Sequence, residues 1–303
     1  MSDVIFCRAA KSMKLLLLDA DHCLGRALVN ESASRSDVEL IVERSRQCPP
    51  SQLKTWAPDA VVFPPLLCPA GVDYAEMVEH VDQVEAVMTA CRACEVPLVW
   101  FVSDQVFDVG SDMPIEENML PAPRDEGLQR LLEAGNRIRS ELAEHFIVRT
   151  GPLMALEGRS AWLAQMLDAL IGGRPLRAAE DEIICPTPVQ AVARAVIGML
   201  AQQFSGANAW GAYHLAGVEP VSLYTFHGVV RHQLEIQLAR RHIDLTLGEI
   251  QPLHHHHDQP LRRVLNCRQM LETFGVHQKP WRLALDAMLE QWCQTRFDEE
   301  MGP

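Results

Sequence analysis

The sequence contains no apolar run close to the roughly 20 residues that a membrane-spanning helix needs. Its longest apolar stretches, residues 14–18 and 96–102, fall far short of that length. Residues 1–12 also lack the long apolar core and the small-residue cleavage site of a secretory signal. We therefore expect a cytoplasmic protein with no segment that crosses a bilayer.

Positive charge is scarce as well. The 303 residues carry 27 Lys and Arg against 40 Asp and Glu, which gives a formal net charge of -13 at pH 7. A field of this sign repels the phosphates that dominate nucleic-acid affinity, so no DNA or RNA partner is expected. The remaining composition, 48% hydrophobic and 22% charged, is typical of a globular chain with a sizeable core. It excludes a disordered or fibrous protein.

Cysteine is too sparse for a disulfide scaffold, because nine cysteines are scattered over the chain. We expect reduced thiols. Cys91 and Cys94 form a C-x-x-C pair, but they lie in a predicted helix at 77–94, which favours small buried side chains over a redox or metal role. There is no internal repeat, and the only low-complexity tract is His254 to His257.

Strand and helix patterns alternate through the first half of the chain. Strands are predicted at 13–19, 38–43, 60–63, 97–103 and 146–150, with helices at 23–30, 80–94 and 126–145 between them. This alternation predicts an α/β fold in which a parallel sheet is connected by crossover helices. After residue 150 the pattern loosens into helices at 160–171, 189–202 and 223–239 and a short strand at 211–216.

Several motifs occur in one consistent order from Lys14 to about Trp281. They are Leu24-Gly25-Arg26, Val102-Ser103-Asp104-Gln105-Val106-Phe107-Asp108, Pro114-Ile115-Glu116-Glu117, Val148-Arg149-Thr150, Cys185-Pro186-Thr187, the segment 211–217, Arg262-Arg263-Val264-Leu265-Asn266 and Thr273-Phe274-Gly275. Together they resemble the dTDP-4-dehydrorhamnose reductase (RmlD-like) family, the sugar-nucleotide branch of the extended short-chain dehydrogenases/reductases.

The resemblance implies a Rossmann-like, doubly wound parallel sheet with a smaller C-terminal substrate-binding lobe. We expect an N-terminal extension at 1–12 and a nucleotide-binding domain at 13–150. Residues 151–303 are expected to form mainly the substrate-binding lobe, with a segment near 186–217 that returns to the first sheet.

The cofactor motif of this family is degenerate here. Its G-x-x-G-x-x-G turn reads Asp19, His22 and Gly25, and only Gly25, which mainly serves close packing of helix on sheet, survives. Asp19 puts a carboxylate where the cofactor diphosphate would lie, so we expect no normally bound NAD(P) cofactor. The family's N-A-A-A loop reads Phe63-Pro64-Pro65-Leu66, which either plugs the nicotinamide ribose site or reroutes the loop.

The catalytic dyad is missing too. In the family a Tyr donates a proton and a Lys four residues later lowers its pKa. Aligned on Ala134-Gly135-Asn136, these positions fall on Leu128 and Leu132. A shift of register does not restore the motif, because none of the three tyrosines in the chain has a Lys four residues later. Ser103 matches the family's substrate-binding hydroxyl and is interpreted as a structural remnant.

Three sets of residues remain as candidate binding groups. Arg262 and Arg263, with Asn266, match the family's substrate-binding region and suit an anion, although adjacent arginines also occur on solvated surfaces. Arg44 and Arg46 follow the second strand, where the resemblance places the adenosine ribose, and Arg44 is a weak cofactor-binding candidate. The His254 to His257 tract forms either an exposed loop or a pH-sensitive contact with an anion, and no metal site is predicted.

These features support one leading hypothesis and two alternatives. The leading hypothesis is a catalytically impaired sugar-nucleotide-binding protein that acts as a binding or regulatory subunit, with a nucleotide sugar or another anionic small molecule as ligand and a partner enzyme. The first alternative is an active NAD(P)H-dependent reductase of dTDP-4-keto-6-deoxysugars with a displaced proton donor. The second is a structural homo-oligomer that pairs through helices 77–94 and 126–145.

Overall fold

The computed structural model describes residues 12–65, 74–107, 113–254 and 261–298. The first half of the chain contains β1 (Met13–Leu17), α1 (Cys23–Ala33), β2 (Val38–Val42), α2 (Pro50–Trp56), β3 (Ala60–Phe63), α3 (Tyr74–Cys94), β4 (Leu98–Ser103), α4 (Glu126–Glu141) and β5 (His145–Thr150). A single 3-10 turn, Asp104–Val106, follows β4.

The second half begins with short strands. It contains β6 (Leu153–Met154), α5 (Trp162–Ile171), β7 (Leu176–Ala179), β8 (Glu182–Ile184), β9 (Thr187–Pro188), α6 (Val189–Gln202), β10 (Gly211–Leu215), β11 (Val221–Ser222), α7 (Leu223–Arg240), β12 (Ile250–Leu253), β13 (Leu261–Arg262), α8 (Arg268–Phe274) and α9 (Trp281–Cys293).

Six strands form the central sheet in the order β2-β1-β3-β4-β5-β10, and all of their pairings are parallel. Strands β3 and β4 are almost entirely buried, as is typical of a parallel sheet that is covered by helices on both faces. This confirms the predicted Rossmann-like α/β fold. The strand order reverses at β1, and in such sheets ligands bind outside the carboxyl ends of the strands at this switch point.

Strand β10 lies at one edge of the sheet. It pairs with β5 so that Tyr213 lies opposite Val148 and His214 opposite Arg149. The chain therefore returns to the central sheet after a long excursion, and the ring of Tyr213 packs against Phe146 and Phe274.

A second apolar cluster lies among α5, α7 and α9. Phe226 is fully buried at its centre and contacts the rings of Trp162 and Trp281, each with ring centroids 5.1 Å apart. Beside it lie the pair β12-β7 and the three-stranded sheet β11-β8-β13. No helix among the described residues is both long and apolar enough to cross a membrane.

Some element boundaries differ from the sequence prediction. The helix predicted to run to residue 145 ends at Glu141, because His145 already pairs with Leu98 at the start of β5. Helix α5 begins at Trp162 and not at Ser160, whose φ of 64° is left-handed. Helix α2 and the two-residue strands were not predicted, since segments this short carry little periodicity.

Candidate functional site

The switch point of the sheet is occupied by a buried charged cluster. Asp19, which was predicted to stand at the first of the family's glycine positions, follows β1 with a left-handed φ of 51° and is 3% exposed. Its carboxylate accepts a 2.8 Å hydrogen bond from Nε of Arg46 and a second hydrogen bond from Arg159. Of the two arginines that follow β2, Arg46 therefore neutralises Asp19. Arg44 is 82% exposed, with Nε 3.8 Å from Asp21.

The N-terminus of α1 is capped by the chain itself. The backbone N–H of Cys23 donates to the carbonyl of Arg159 at 2.8 Å, and that of Leu24 donates to Nδ1 of His22 at 3.1 Å. In dinucleotide-binding folds, donors at this helix end bind the diphosphate. Here two of them are taken, so the turn does not offer the open cradle that a dinucleotide needs.

Two glycines allow this close packing. Gly158 has a φ of 88°, and a Cβ there would lie 2.9 Å from the backbone N of Cys23. The segment before α5 can therefore approach α1 only with a glycine at 158. A Cβ on Gly25 would lie 2.7 Å from the carbonyl oxygen of Ala20, which agrees with a packing role for Gly25.

Two uncharged histidines complete the cluster. His22 and His80 are each 1% exposed, and burial, reinforced by Arg159 and Arg46, lowers the pKa of each to about 3. His80 stacks on Phe63, the last residue of β3, with ring centroids 5.3 Å apart. Pro64 and Pro65 are buried, whereas Leu66 lies outside the described residues.

Leu128 and Leu132, the predicted dyad positions, lie on α4. Leu128 is half-buried and packs against the main core, and its backbone N–H is capped by Asp125 at 2.9 Å. Leu132 is also half-buried and lines a small cavity together with Val102. The sequence of α4 contains neither Tyr nor Lys.

Ser103, at the end of β4, uses its hydroxyl locally. The hydroxyl oxygen accepts a hydrogen bond from the backbone N–H of Gln105 at 3.2 Å, and the hydroxyl O–H donates to the carboxylate of Asp104, also at 3.2 Å. These bonds cap the short turn after β4. These two local hydrogen bonds explain the presence of a hydroxyl at this position without a role in substrate binding.

Asp104 belongs to a buried ionic network. Nε of Arg263 lies 3.7 Å from its carboxylate, and the same guanidinium donates to Glu182 on β8. Burial raises the pKa of Asp104 to about 6, against the opposing effects of Arg263 and the Ser103 hydroxyl. Arg263 is 5% exposed, so the structure places this predicted anion-binding group in an internal ion pair that joins the turn after β4 to β8.

Arg262 is placed differently. It is half-buried on β13, its Nε has no hydrogen-bond partner, and its side chain makes no ion pair with the described residues. The third predicted residue, Asn266, donates from Nδ2 to Glu116 at 2.9 Å. Of the three predicted substrate-binding residues, Arg262 is therefore the one whose guanidinium is not paired with a described residue.

A second buried pair was not predicted as part of a site. Arg149 on β5 donates to the carbonyl of Glu117 at 3.2 Å, and one of its Nη atoms lies 3.1 Å from Nε2 of His214 on β10. Burial, with Arg149 beside it, lowers the pKa of His214 to about 3. Because guanidinium only donates, Nε2 of the neutral imidazole accepts, and Nδ1 donates to the carbonyl of Asn266 at 3.0 Å.

This chain of hydrogen bonds anchors the segment that carries Arg262. Arg149 lies in the motif Val148-Arg149-Thr150 and His214 in the segment 211–217, and these two motifs were the available sequence signal for the pair. Arg159 carries no such signal, since it matches no motif that we identified in the sequence.

The histidine tract is only partly described. His254 lies 3.3 Å from the carboxylate of Glu180, and residues 255–257 fall outside the described residues. Within the described ranges, no group of three or more His, Cys, Asp or Glu side chains could hold a metal ion.

Comparisons with known proteins give a consistent result. The chain is 25% identical over 277 residues to a dTDP-4-dehydrorhamnose reductase from Sinorhizobium fredii, a match that covers 84% of this chain and 90% of the relative. The structure is similar to that of a dTDP-4-dehydrorhamnose reductase ortholog from Clostridium acetobutylicum, with a TM-score of 0.75 at 20% identity, covering 92% of this chain and 99% of the other.

A further structure is similar and was determined with a cofactor. It is the dTDP-4-dehydrorhamnose reductase from Bacillus anthracis in complex with NADP, with a TM-score of 0.72 at 17% identity, covering 91% of this chain and 98% of the other. The RmlD substrate binding domain family matches residues 71–293, more than two thirds of the sequence. The chain therefore belongs to the RmlD substrate binding domain family.

Proposed function

We propose that this protein binds a sugar nucleotide but does not transfer hydride, and that it acts as a binding or regulatory subunit. The observation that carries the proposal is the closed turn between β1 and α1. There Asp19, His22 and Arg159 use the groups that would otherwise face a dinucleotide.

The turn opposes NAD(P) binding in two ways. A diphosphate at α1 would have to displace the segment that holds Arg159, and so break the hydrogen bond to Cys23 and an ion pair to Asp19. After that displacement, the negatively charged diphosphate would lie next to the carboxylate of Asp19, a residue that is 3% exposed. Coulomb repulsion is strong where water is scarce. The residues at this turn therefore do not fit the cofactor.

The missing dyad supports the same proposal independently. Leu128 and Leu132 cannot donate or accept a proton, and the Ser103 hydroxyl is used to cap a turn. General acid catalysis typically contributes about 10² to 10⁴-fold to a rate. Even if a cofactor did bind, reduction of a keto sugar would lack its positioned acid.

The ligand proposal rests on Arg262. An arginine is suited to phosphate recognition, and this one has no partner among the described residues. Its segment is held by the bonds from Arg149 through His214 to Asn266. A diphosphate-linked sugar is the ligand that this position and the family suggest. Proteins similar in fold to this chain include one determined with UDP-glucose and NAD.

The experiment is a calorimetric titration with a dTDP-linked sugar, together with an assay of dTDP-4-keto-6-deoxysugar reduction with NADH and NADPH. We expect saturable binding of the sugar nucleotide and no reduction. Turnover at ordinary enzyme rates, roughly 1 to 10³ per second, would refute the proposal and establish the active reductase. Absence of any dTDP-sugar binding would leave a structural role.

A homo-oligomer is part of the proposal. Helices α3 and α4 pack side by side, and Arg137 on α4 forms a 2.7 Å ion pair with Glu85 on α3. In short-chain dehydrogenases the helices at these positions pair between subunits. Light scattering on the purified protein tests this, and a monomer mass at micromolar concentration would contradict it.

A further inference from the structure

A second cavity lies away from the switch point. A groove of about 350 Å³ runs between α6 and the residues that follow α8, at the carboxyl end of the edge strand β10. Its volume falls in the range of about 300 to 1,000 Å³ that is usual for small-molecule sites. None of the residues that carry the proposed function line this groove, so a ligand here would bind independently of that function.

The floor of the groove is apolar and is kept open by a glycine. Val192, Ala195 and Phe274 are buried there, and Gly198 lies between them in the interior of α6. No heavy atom lies within 4 Å of a Cβ built on Gly198. Glycine is unfavourable inside a helix. Here it leaves free the volume that a side chain would occupy.

The walls are held in place by hydrogen bonds. Nε2 of Gln202, near the end of α6, donates to the carbonyl of Phe274 at 3.1 Å. The side-chain amide of Gln278 donates to the carbonyl of Ala216, just after β10. The groove is therefore preformed, which lowers the entropic cost of binding.

Two cationic side chains stand at the rim of the groove. Arg194 and Lys279 stand on its rim with the imidazole of His277, and no carboxylate residue is among the described residues that line it. Nε of Arg194 lies 3.6 Å from Glu31 on α1, whereas Lys279 makes no ion pair with the described part of the chain. Lys279 is therefore the rim cation that is available to an anionic head group.

We propose that this groove binds a small amphipathic anion. The apolar body of the ligand lies over Gly198 and Phe274, and one carboxylate or phosphate lies at Lys279. Burial of the apolar body supplies most of the affinity, and the rim cations select the charge of the head group.

The probe is decanoate, titrated by calorimetry and followed by the methyl NMR signals of Val192, Leu215 and Val276. We expect one saturable site whose binding shifts these methyl signals. Decyl phosphate replaces decanoate in a second titration, which distinguishes a phosphate from a carboxylate head group. Decanol and decyltrimethylammonium test the charge, and each should bind at least about tenfold more weakly, which corresponds to about 1.4 kcal/mol.

Two variants test the location. Gly198→Leu fills the floor and should weaken decanoate binding at least tenfold, whereas the matched Gly198→Ala, which adds one methyl group, should weaken it less. Lys279→Glu reverses a rim charge at an exposed position where misfolding is not expected, and it should also weaken binding about tenfold. Lack of saturable binding, equal binding of decanol, or unchanged binding in both Gly198→Leu and Lys279→Glu would each overturn the proposal.

Discussion

The carboxylate of Asp19 accepts a hydrogen bond from the guanidinium of Arg159, a residue 140 positions later in the chain. This contact joins the turn after β1 to the segment before α5. An ion pair therefore lies at the carboxyl end of β1. In dinucleotide-binding folds this position holds a glycine that lies against the diphosphate. The contact keeps the turn closed, because the Asp19 carboxylate is buried and would be costly to bury without the arginines that pair with it.

The first prediction concerns the stability of this contact. Arg159→Ala leaves the buried Asp19 with Arg46 as its arginine partner, and we expect the free energy of unfolding to fall by about 1 to 2 kcal/mol. The figure is modest because the Arg159 side chain is 44% exposed and solvent screens its charge. Urea denaturation measures the difference.

Arg44→Ala is the matched control for this prediction. Arg44 follows the same strand but is 82% exposed, so its loss should change the free energy of unfolding by less than about 0.5 kcal/mol. If the two variants were equally stable, the contact between Asp19 and Arg159 would not stabilise the turn.

The second prediction concerns acid sensitivity. Burial, with neighbouring arginines, lowers the pKa of His22, His80 and His214 to about 3. The unfolded chain therefore binds more protons than the folded protein between pH 3 and about 6.5, so the stability from these residues is lost as the pH falls through that range. Asp104 acts in the opposite direction between about pH 4 and 6, because its pKa is raised. Burial also lowers the pKa of His227 to about 4 and raises the pKa of Glu117, so the histidines still outnumber the carboxyl groups, and the free energy of unfolding should fall below pH 6.5.

His80 allows a direct test of this pH dependence. His80→Phe keeps an aromatic ring against Phe63 and removes the titrating group, so the slope of unfolding free energy against pH between 4 and 6 should fall by up to about 1.4 kcal/mol per pH unit. His232→Gln serves as control, since that side chain is 71% exposed. An unchanged slope in His80→Phe would mean that His80 titrates in the folded protein as it does in the unfolded chain.

The third prediction separates the two adjacent arginines. Arg262→Ala should weaken dTDP-sugar binding with little effect on stability, because Arg262 makes no ion pair with the described residues. Arg263→Ala should instead lower the free energy of unfolding by roughly 3 kcal/mol, since it leaves Asp104 and Glu182 without their common cation. Calorimetry and denaturation, run on both variants, measure the two effects. A stable Arg263→Ala with the larger loss of affinity would reverse the assignment.

The fourth prediction concerns the dyad. Leu128→Tyr combined with Leu132→Lys restores the residue types of the family on one face of α4, yet we expect no reduction of a keto sugar, because the turn at Asp19 still opposes the cofactor. The assay follows nicotinamide absorbance. Turnover by this double variant would show that the turn is no obstacle.

The sequence predicted the sheet well, because its strands carry local signals, and the prediction that the dyad is lost also depends on a local signal. Strand β3 is a continuous apolar run, and β1 and β4 each contain a single polar residue. Leu128 and Leu132 can be aligned on the nearby Ala134-Gly135-Asn136. The substitution of Asp19 for glycine was visible, but its partner was not. Pairing Asp19 with Arg159 requires knowledge of how the segment before α5 folds back on α1.

The adjacent residues Arg262 and Arg263 are a second case in which the sequence could not show which partners a charged side chain has. Arg262 is the last residue of β13 and is half-buried, whereas Arg263 follows the strand and is buried in an ion pair with Glu182. Which of them faces inward depends on Asp104 and Glu182, which come from two other elements. Sequence position alone therefore indicated a basic site and could not assign it to one residue.

Calorimetric titration of the unmodified protein with NADPH and NADH tests the closed turn most directly. We expect no saturable heat with either cofactor up to about millimolar concentration, because Asp19, His22 and Arg159 use the groups at the N-terminus of α1. A dissociation constant in the low micromolar range, about -8 kcal/mol, would contradict it.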